Sequence, residues 1–197
     1  MNLIDIRRYA AHRITNPIVG ILSKTKITPN ALSILNLAVN VVAACVIATG
    51  HFLLGGVLVL VAGLFDLLDG ALARFKGRPT RFGAILDSTV DRISEAAILC
   101  GLLVWYAPQQ GATSKILLIF AVLIGSFLIS YIRARAEGLG WQCQLGLFTR
   151  AERVIVLAVG LLTNQTLIAL CVLAVFVLIT VVQRLVYLWS REKSEGD

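Results

Sequence analysis

Long apolar runs broken by short polar segments dominate this sequence and leave few folds open to it. The runs cover about residues 31–50, 52–74, 82–106, 115–136, 151–162 and 166–189. Several reach the roughly 20 residues that carry a helix across a bilayer. In lipid every backbone polar group needs an internal partner, so spans of this kind fold as helices. With 58% hydrophobic residues in a chain of 197 and a mean hydropathy of +0.85, a soluble helical bundle is the weaker alternative. The expectation is an all-α integral membrane protein with six transmembrane helices.

An N-terminal amphipathic interfacial helix is expected ahead of them. In residues 1–24, Ile6, Ala10, Ile14, Ile18, Ile21 and Leu22 recur at helical spacing, while Arg7, Arg8, His12 and Arg13 take the other positions, with a bend at Pro17. Thr28-Pro29-Asn30 then reads as a helix start, a capping hydroxyl followed by proline in the first turn. The domain reading is 1–30 amphipathic helix and linker, 31–190 six-helix domain, and 191–197 charged tail. Cys45, Cys100, Cys143 and Cys171 lack metal or disulfide spacing and read as small packing residues.

The basic residues orient the spans. If six helices cross, the amino end, the 75–81 loop, the 137–150 loop and the tail share one side, and Lys115 alone of the 18 Lys and Arg falls on the other. The positive-inside rule places that basic side, and both termini, in the cytoplasm of a multi-pass cell-membrane protein. A net charge of +7 is then explained by cytoplasmic loops and anionic headgroups rather than nucleic acid.

Against this background four aspartates stand out: Asp66 and Asp69 near the end of the second run, Asp87 and Asp91 near the start of the third. Each costs on the order of 2.5–3.5 kcal/mol at the centre of a membrane helix, so they call for a cationic or aqueous partner. Spacings of three and four put each pair on one face of its helix, and two adjacent helices would present four convergent oxygens. Such hard donors suit Mg2+ or Mn2+, and the charge is enough for two ions. Gly70 and Ala73 continue the first face with almost no side chain, and Arg74 can reach an anion placed there. Metals at a headgroup boundary fit chemistry on a diphosphate, with a free carboxylate taking a proton from an incoming hydroxyl.

The full pattern, D-x2-D-G-x2-A-R-x8-G-x3-D-x3-D, is matched at every fixed position by Asp66, Asp69, Gly70, Ala73, Arg74, Gly83, Asp87 and Asp91. On these residues the chain resembles the CDP-alcohol phosphotransferases. The resemblance implies a six-helix fold, a homodimer, and a metal-dependent enzyme that moves the phosphatidyl group of CDP-diacylglycerol to a small alcohol with release of CMP. It also implies that Asp66, Asp69, Asp87 and Asp91 bind metal and that Asp91 is the general base. Gly70, Ala73 and Gly83 would make room for the nucleotide, and Arg74 would hold the diphosphate.

A second basic group, Arg133 and Arg135 before the 137–150 loop and Arg150 and Arg153 after it, reads in two ways. These are flanking charges, or they are forks for a phosphate on the acceptor. Ser130-Tyr131-Ile132-Arg133-Ala134-Arg135-Ala136-Glu137 with Thr149-Arg150-Ala151-Glu152-Arg153 resembles the phosphatidylinositol-phosphate and archaetidylinositol-phosphate synthases. That resemblance implies inositol 1-phosphate as acceptor. Phosphatidylglycerol-phosphate synthase, with glycerol 3-phosphate as acceptor, is the alternative within the class, and a cation transporter the alternative outside it. Arg92 and Glu95, three apart, are expected to pair with each other.

Overall fold

A computed structural model describes residues 19–20, 27–76, 80–143, 145–146 and 148–195. Six helices follow one another among the described residues from 27 on: α1 Pro29–Ala48, α2 Phe52–Phe75, α3 Arg81–Tyr106, α4 Thr113–Gly138, α5 Arg150–Leu162 and α6 Thr166–Glu195. Four of them, α1, α2, α4 and α6, are long and apolar enough to cross a membrane. Helix α3 is as long but carries the charged half of the aspartate pattern, and α5 has 13 residues. There is no strand among the described residues.

The helix starts are written locally. Thr28 caps α1, its Oγ1 accepting from the Ala31 N–H at 3.2 Å, with Pro29 in the first turn. Thr80 does the same for α3 through the Gly83 N–H at 2.9 Å. At α5 the Glu152 carboxylate accepts from the Thr149 backbone N–H at 2.7 Å, completing a capping box. Asn164, at φ +57, turns the chain between α5 and α6.

Helix α1 packs against α2 and α3, α4 against α3 and α6, and α5 against α2 and α6. Buried Ala43, Ile47, Val59, Leu99, Leu102, Leu161 and Leu170 link the helices in one core. Small residues let backbones close in: a Cβ on Gly101 of α3 would lie 2.4 Å from the Ala44 carbonyl oxygen of α1. At the end of the bundle away from the aspartates, the buried Tyr106 hydroxyl bonds to Thr166 Oγ1, and Lys115 Nζ sits 4.4 Å over the Tyr106 ring.

One expectation changes, and another lies outside the described residues. Helix α6 does not stop near Trp189 but continues through Arg191 and Lys193 to Glu195, since charged side chains on a solvated last turn do not oppose a helix. Of the N-terminal segment only Val19 and Gly20 before Ile27 are described. Val19 is buried with Leu32, Leu68 and Leu72; the amphipathic helix over 1–24 otherwise lies outside the described residues.

Candidate active site

The aspartates occupy facing stretches of α2 and α3. Carboxylate oxygens of Asp66, Asp69 and Asp87 all lie within 4.8 Å of one another. Asp69 is the most enclosed of them at 4% exposure, and its Oδ2 accepts a 3.0 Å hydrogen bond from the Ser33 hydroxyl of α1. Three like charges this close repel unless a cation joins them, and an all-oxygen donor set suits a hard divalent ion.

Asp91 stands one turn further along α3 and is held differently. Arg150, the first residue of α5, donates from Nη1 to Asp66 Oδ1 at 2.6 Å, and the same nitrogen lies 2.6 Å from Asp91 Oδ1. Arg92 Nη1 is 4.0 Å from Asp91 Oδ2. The structure therefore gathers three of the four sequence-predicted carboxylates directly and ties the fourth to them through a guanidinium.

This cluster separates two cavities. One, of about 370 Å3, is walled by Gly70, Ala73, Arg74 and Gly83 together with Asp69 and Asp87. Its floor is the start of α1 at Thr28, Pro29 and Asn30. A Cβ on Gly70 would meet only the Arg74 guanidinium, at 3.5 Å. The bareness of that wall thus serves the space in front of it rather than any helix contact. A Cβ on Gly83 would fall 2.8 Å from the Thr80 hydroxyl that caps α3.

The other cavity, of about 260 Å3, is lined by the polar Asn40, Asp66, Ser94, Glu95, Arg150 and Arg153 and by apolar side chains, most of them from α2 and α5. Several of the latter, Leu60, Leu64, Leu67 and Ile155, are exposed on the outside of the bundle. The first cavity suits a polar, phosphate-bearing molecule, and the second joins the acid cluster to an apolar outer face.

The remaining arginines divide. Arg153 is 4% exposed and grips Glu95 with two bonds, Nε to Oε1 at 2.7 Å and Nη2 to Oε2 at 2.8 Å. The expected Arg92–Glu95 pair is corrected by this: Glu95 points into the bundle, where its ion-pair partner is Arg153, while Arg92 donates to the Ser88 carbonyl at 2.6 Å. Arg133 and Arg135 stand on the exposed final turns of α4, and Arg133 pairs with Glu137 at 2.8 Å. Neither lines the two cavities described.

Sequence reasoning passes over Ser33 and Arg184. Ser33 lies outside the aspartate pattern, and only its helical register with Pro29 and Asn30 points toward the site. Arg184, 5% exposed within the apolar α6, donates from Nε to the Leu145 carbonyl at 2.9 Å and from Nη1 to the Ile129 carbonyl. It lies near enough to Arg133 and Arg153 for their charges to bear on it. A lone arginine in a membrane helix is the signal that could have found it.

Along most of its length the chain is similar to known proteins. The family model for CDP-alcohol phosphatidyltransferase matches residues 26–189. A phosphatidylinositol phosphate synthase of Mycobacteroides abscessus is 40% identical over 181 residues, covering 88% of this chain and 82% of its own. An archaetidylinositol phosphate synthase of Methanothermobacter thermautotrophicus is 38% identical over 152 residues, 74% of this chain and 75% of its own. The crystal structure of Mycobacterium tuberculosis phosphatidylinositol phosphate synthase with CDP-DAG bound superposes with a TM-score of 0.82 at 38% identity, covering 90% of this chain and 94% of that one. A crystal structure of the same synthase with manganese and citrate gives a TM-score of 0.82 at 37% identity, over 89% and 88%. With the aspartate pattern, its geometry and these relatives in agreement, the chain belongs to the CDP-alcohol phosphatidyltransferase family and is a transferase.

Proposed function

We propose that this membrane enzyme transfers the phosphatidyl group of CDP-diacylglycerol to inositol 1-phosphate, giving phosphatidylinositol phosphate and CMP. The observation that carries the reading is the acid cluster between a polar and an apolar cavity, with Arg150 bridging Asp66 and Asp91 at its edge.

In this reading Asp66, Asp69 and Asp87, with Asp91, hold Mg2+ or Mn2+, two ions by the charge available. Bound there, the metal supplies neutralisation of the diphosphate oxygens and of the departing CMP. The chain's own residues do the rest. Gly70, Ala73 and Gly83 leave the polar cavity open for the cytidine nucleotide, and Arg74 at its rim holds the diphosphate. The lipid chains lie along the apolar cavity toward Leu60 and Ile155. Arg150 and Arg153, with Arg133 and Arg135 from α4 and with Arg184, bind the phosphate of the acceptor.

Asp91 takes the proton of the attacking inositol hydroxyl. That oxygen bonds to the phosphatidyl phosphorus as the bond from phosphorus to the CMP oxygen breaks. For Asp91 to act, Arg150 has to leave its carboxylate, and an acceptor phosphate is the anion that can draw it away.

The membrane arrangement belongs to the same proposal: six spans, an amphipathic segment over 1–30, a tail from 191, both termini cytoplasmic and a homodimer. Helix α5, at 13 residues, is about 20 Å long, shorter than the roughly 30 Å hydrocarbon core. A crossing helix that short sets Arg150 and the aspartates beneath the cytoplasmic surface, in a recess open to water.

The test is to incubate the purified protein with CDP-diacylglycerol, Mn2+ and inositol 1-phosphate and identify the lipid product by mass spectrometry. Phosphatidylinositol phosphate is the expected product. Phosphatidylglycerol phosphate formed only from glycerol 3-phosphate would keep the mechanism and replace the acceptor.

A further inference from the structure

The geometry points to Glu95 as a positioning residue for acceptor binding, acting through Arg153; this deepens the acceptor-phosphate reading above and rests on it. Asp91 and Glu95 are four apart on α3, and Arg150 and Arg153 three apart on α5, so each pair shares a helix face. The two faces meet rung by rung: Arg150 Nη1 stands 2.6 Å from Asp91 Oδ1, and Arg153 takes Glu95 in the bidentate grip of 2.7 and 2.8 Å. The close backbone neighbours of α5 are α2 and α6. Beside the shared apolar core, these side chains give it a charged link to α3, across the cavity that all of Glu95, Arg150 and Arg153 line.

The rungs differ in what the reaction asks of them. The outer one has to open, because Asp91 needs its lone pairs for the acceptor proton and Arg150 needs its fork for the phosphate. The inner one stays shut: Glu95 and Arg153 are 9% and 4% exposed, and the Ser126 hydroxyl of α4 donates to Glu95 Oε1 at 2.9 Å. Glu95 thus ties α3, α4 and α5 together at the depth where the outer rung is released. Its carboxylate covers the Nε and Nη2 edge of Arg153 and turns the Nη1 side away from itself. Two apolar side chains would join the helices with less desolvation than a buried ion pair, so helix association alone does not account for the pair. Its fixed geometry, which sets where the Arg153 guanidinium sits, does.

The test uses the full-length protein in detergent micelles, with separate KM values for CDP-diacylglycerol and inositol 1-phosphate, and with inorganic phosphate as a competitive inhibitor against the acceptor. The variants are Glu95→Gln, Arg153→Gln and the two combined. Glu95→Gln should raise the acceptor KM and the phosphate inhibition constant about tenfold while the donor KM moves by less than about twofold. The double variant should match Arg153→Gln alone, since Glu95 acts through that arginine. An unchanged acceptor KM, equal rises for donor and acceptor, or multiplying effects in the double variant would each overturn the inference.

If Glu95→Gln does not survive purification, Ser126→Ala takes its place, removing one hydrogen bond and leaving the charges paired. A smaller rise confined to the acceptor supports the role of Glu95, and no change refutes it. Should the wild type use another phosphorylated acceptor instead of inositol 1-phosphate, the acceptor assignment fails on its own. The Glu95 comparison is then read from inorganic phosphate inhibition.

Discussion

Replacing Gly70 by alanine separates the needs of the fold from those of the site. A glycine inside a helix costs about 0.5–1 kcal/mol relative to alanine, so the exchange alone should stabilise α2 by that amount. Nothing nearby opposes it: the added Cβ would lie 3.5 Å from Arg74 Nη1 and 3.9 Å from Nη2, ordinary contacts with the end of a flexible side chain. The methyl group instead enters the 370 Å3 cavity assigned to the nucleotide. Crowding a fitted ligand by one carbon costs about 1–3 kcal/mol, or about 5- to 150-fold in donor affinity. The assay pairs a thermal unfolding midpoint in detergent with the KM for CDP-diacylglycerol. The expected outcome is an unchanged or higher midpoint with a donor KM raised in that range. Wild-type donor KM in a stable Gly70→Ala protein would refute the placement of the nucleotide.

Asp91→Asn should leave the protein folded and abolish transfer, with purified yield and unfolding midpoint read beside CMP release; full activity would remove Asp91 as the base. Gly101→Ala should do the reverse, lowering the unfolding midpoint by the equivalent of roughly 1–3 kcal/mol, because the new Cβ would lie 2.4 Å from the Ala44 backbone oxygen and α1 must shift from α3. Chelation with EDTA should stop CMP release and added Mn2+ restore it, since Asp66, Asp69 and Asp87 converge as hard oxygen ligands; activity persisting through exhaustive chelation would contradict the metal assignment.

Local chemistry is legible in the amino-acid sequence, and long-range pairing is not. The spacing of Asp66 to Asp69 and of Asp87 to Asp91 states which helix face each carboxylate takes, because helical geometry fixes it. Thr28-Pro29 marks the start of α1 and Asn164 the turn after α5 for equally local reasons. By contrast, Asp66 and Arg150 are 84 positions apart, and Glu95 and Arg153 are 58 apart. Their meeting depends on how α5 docks between α2 and α6, which no local pattern encodes. A pair between Arg92 and Glu95 is what local spacing favours, and the inward rotation of Glu95 defeats it. Arg150 shows the same limit: its place in the sequence groups it with the acceptor arginines, while the fold also brings it onto two of the motif aspartates.

The acceptor is the central claim, and direct competition tests it without reference to absolute rates. Wild-type protein is given CDP-diacylglycerol and Mn2+ with inositol 1-phosphate and glycerol 3-phosphate at equal concentration, and the two lipid products are quantified early in the reaction. Their ratio equals the ratio of kcat/KM values for the two acceptors. The account predicts phosphatidylinositol phosphate in large excess over phosphatidylglycerol phosphate. A mixture dominated by phosphatidylglycerol phosphate would contradict it and reassign the arginines around Arg150 and Arg153 to glycerol 3-phosphate.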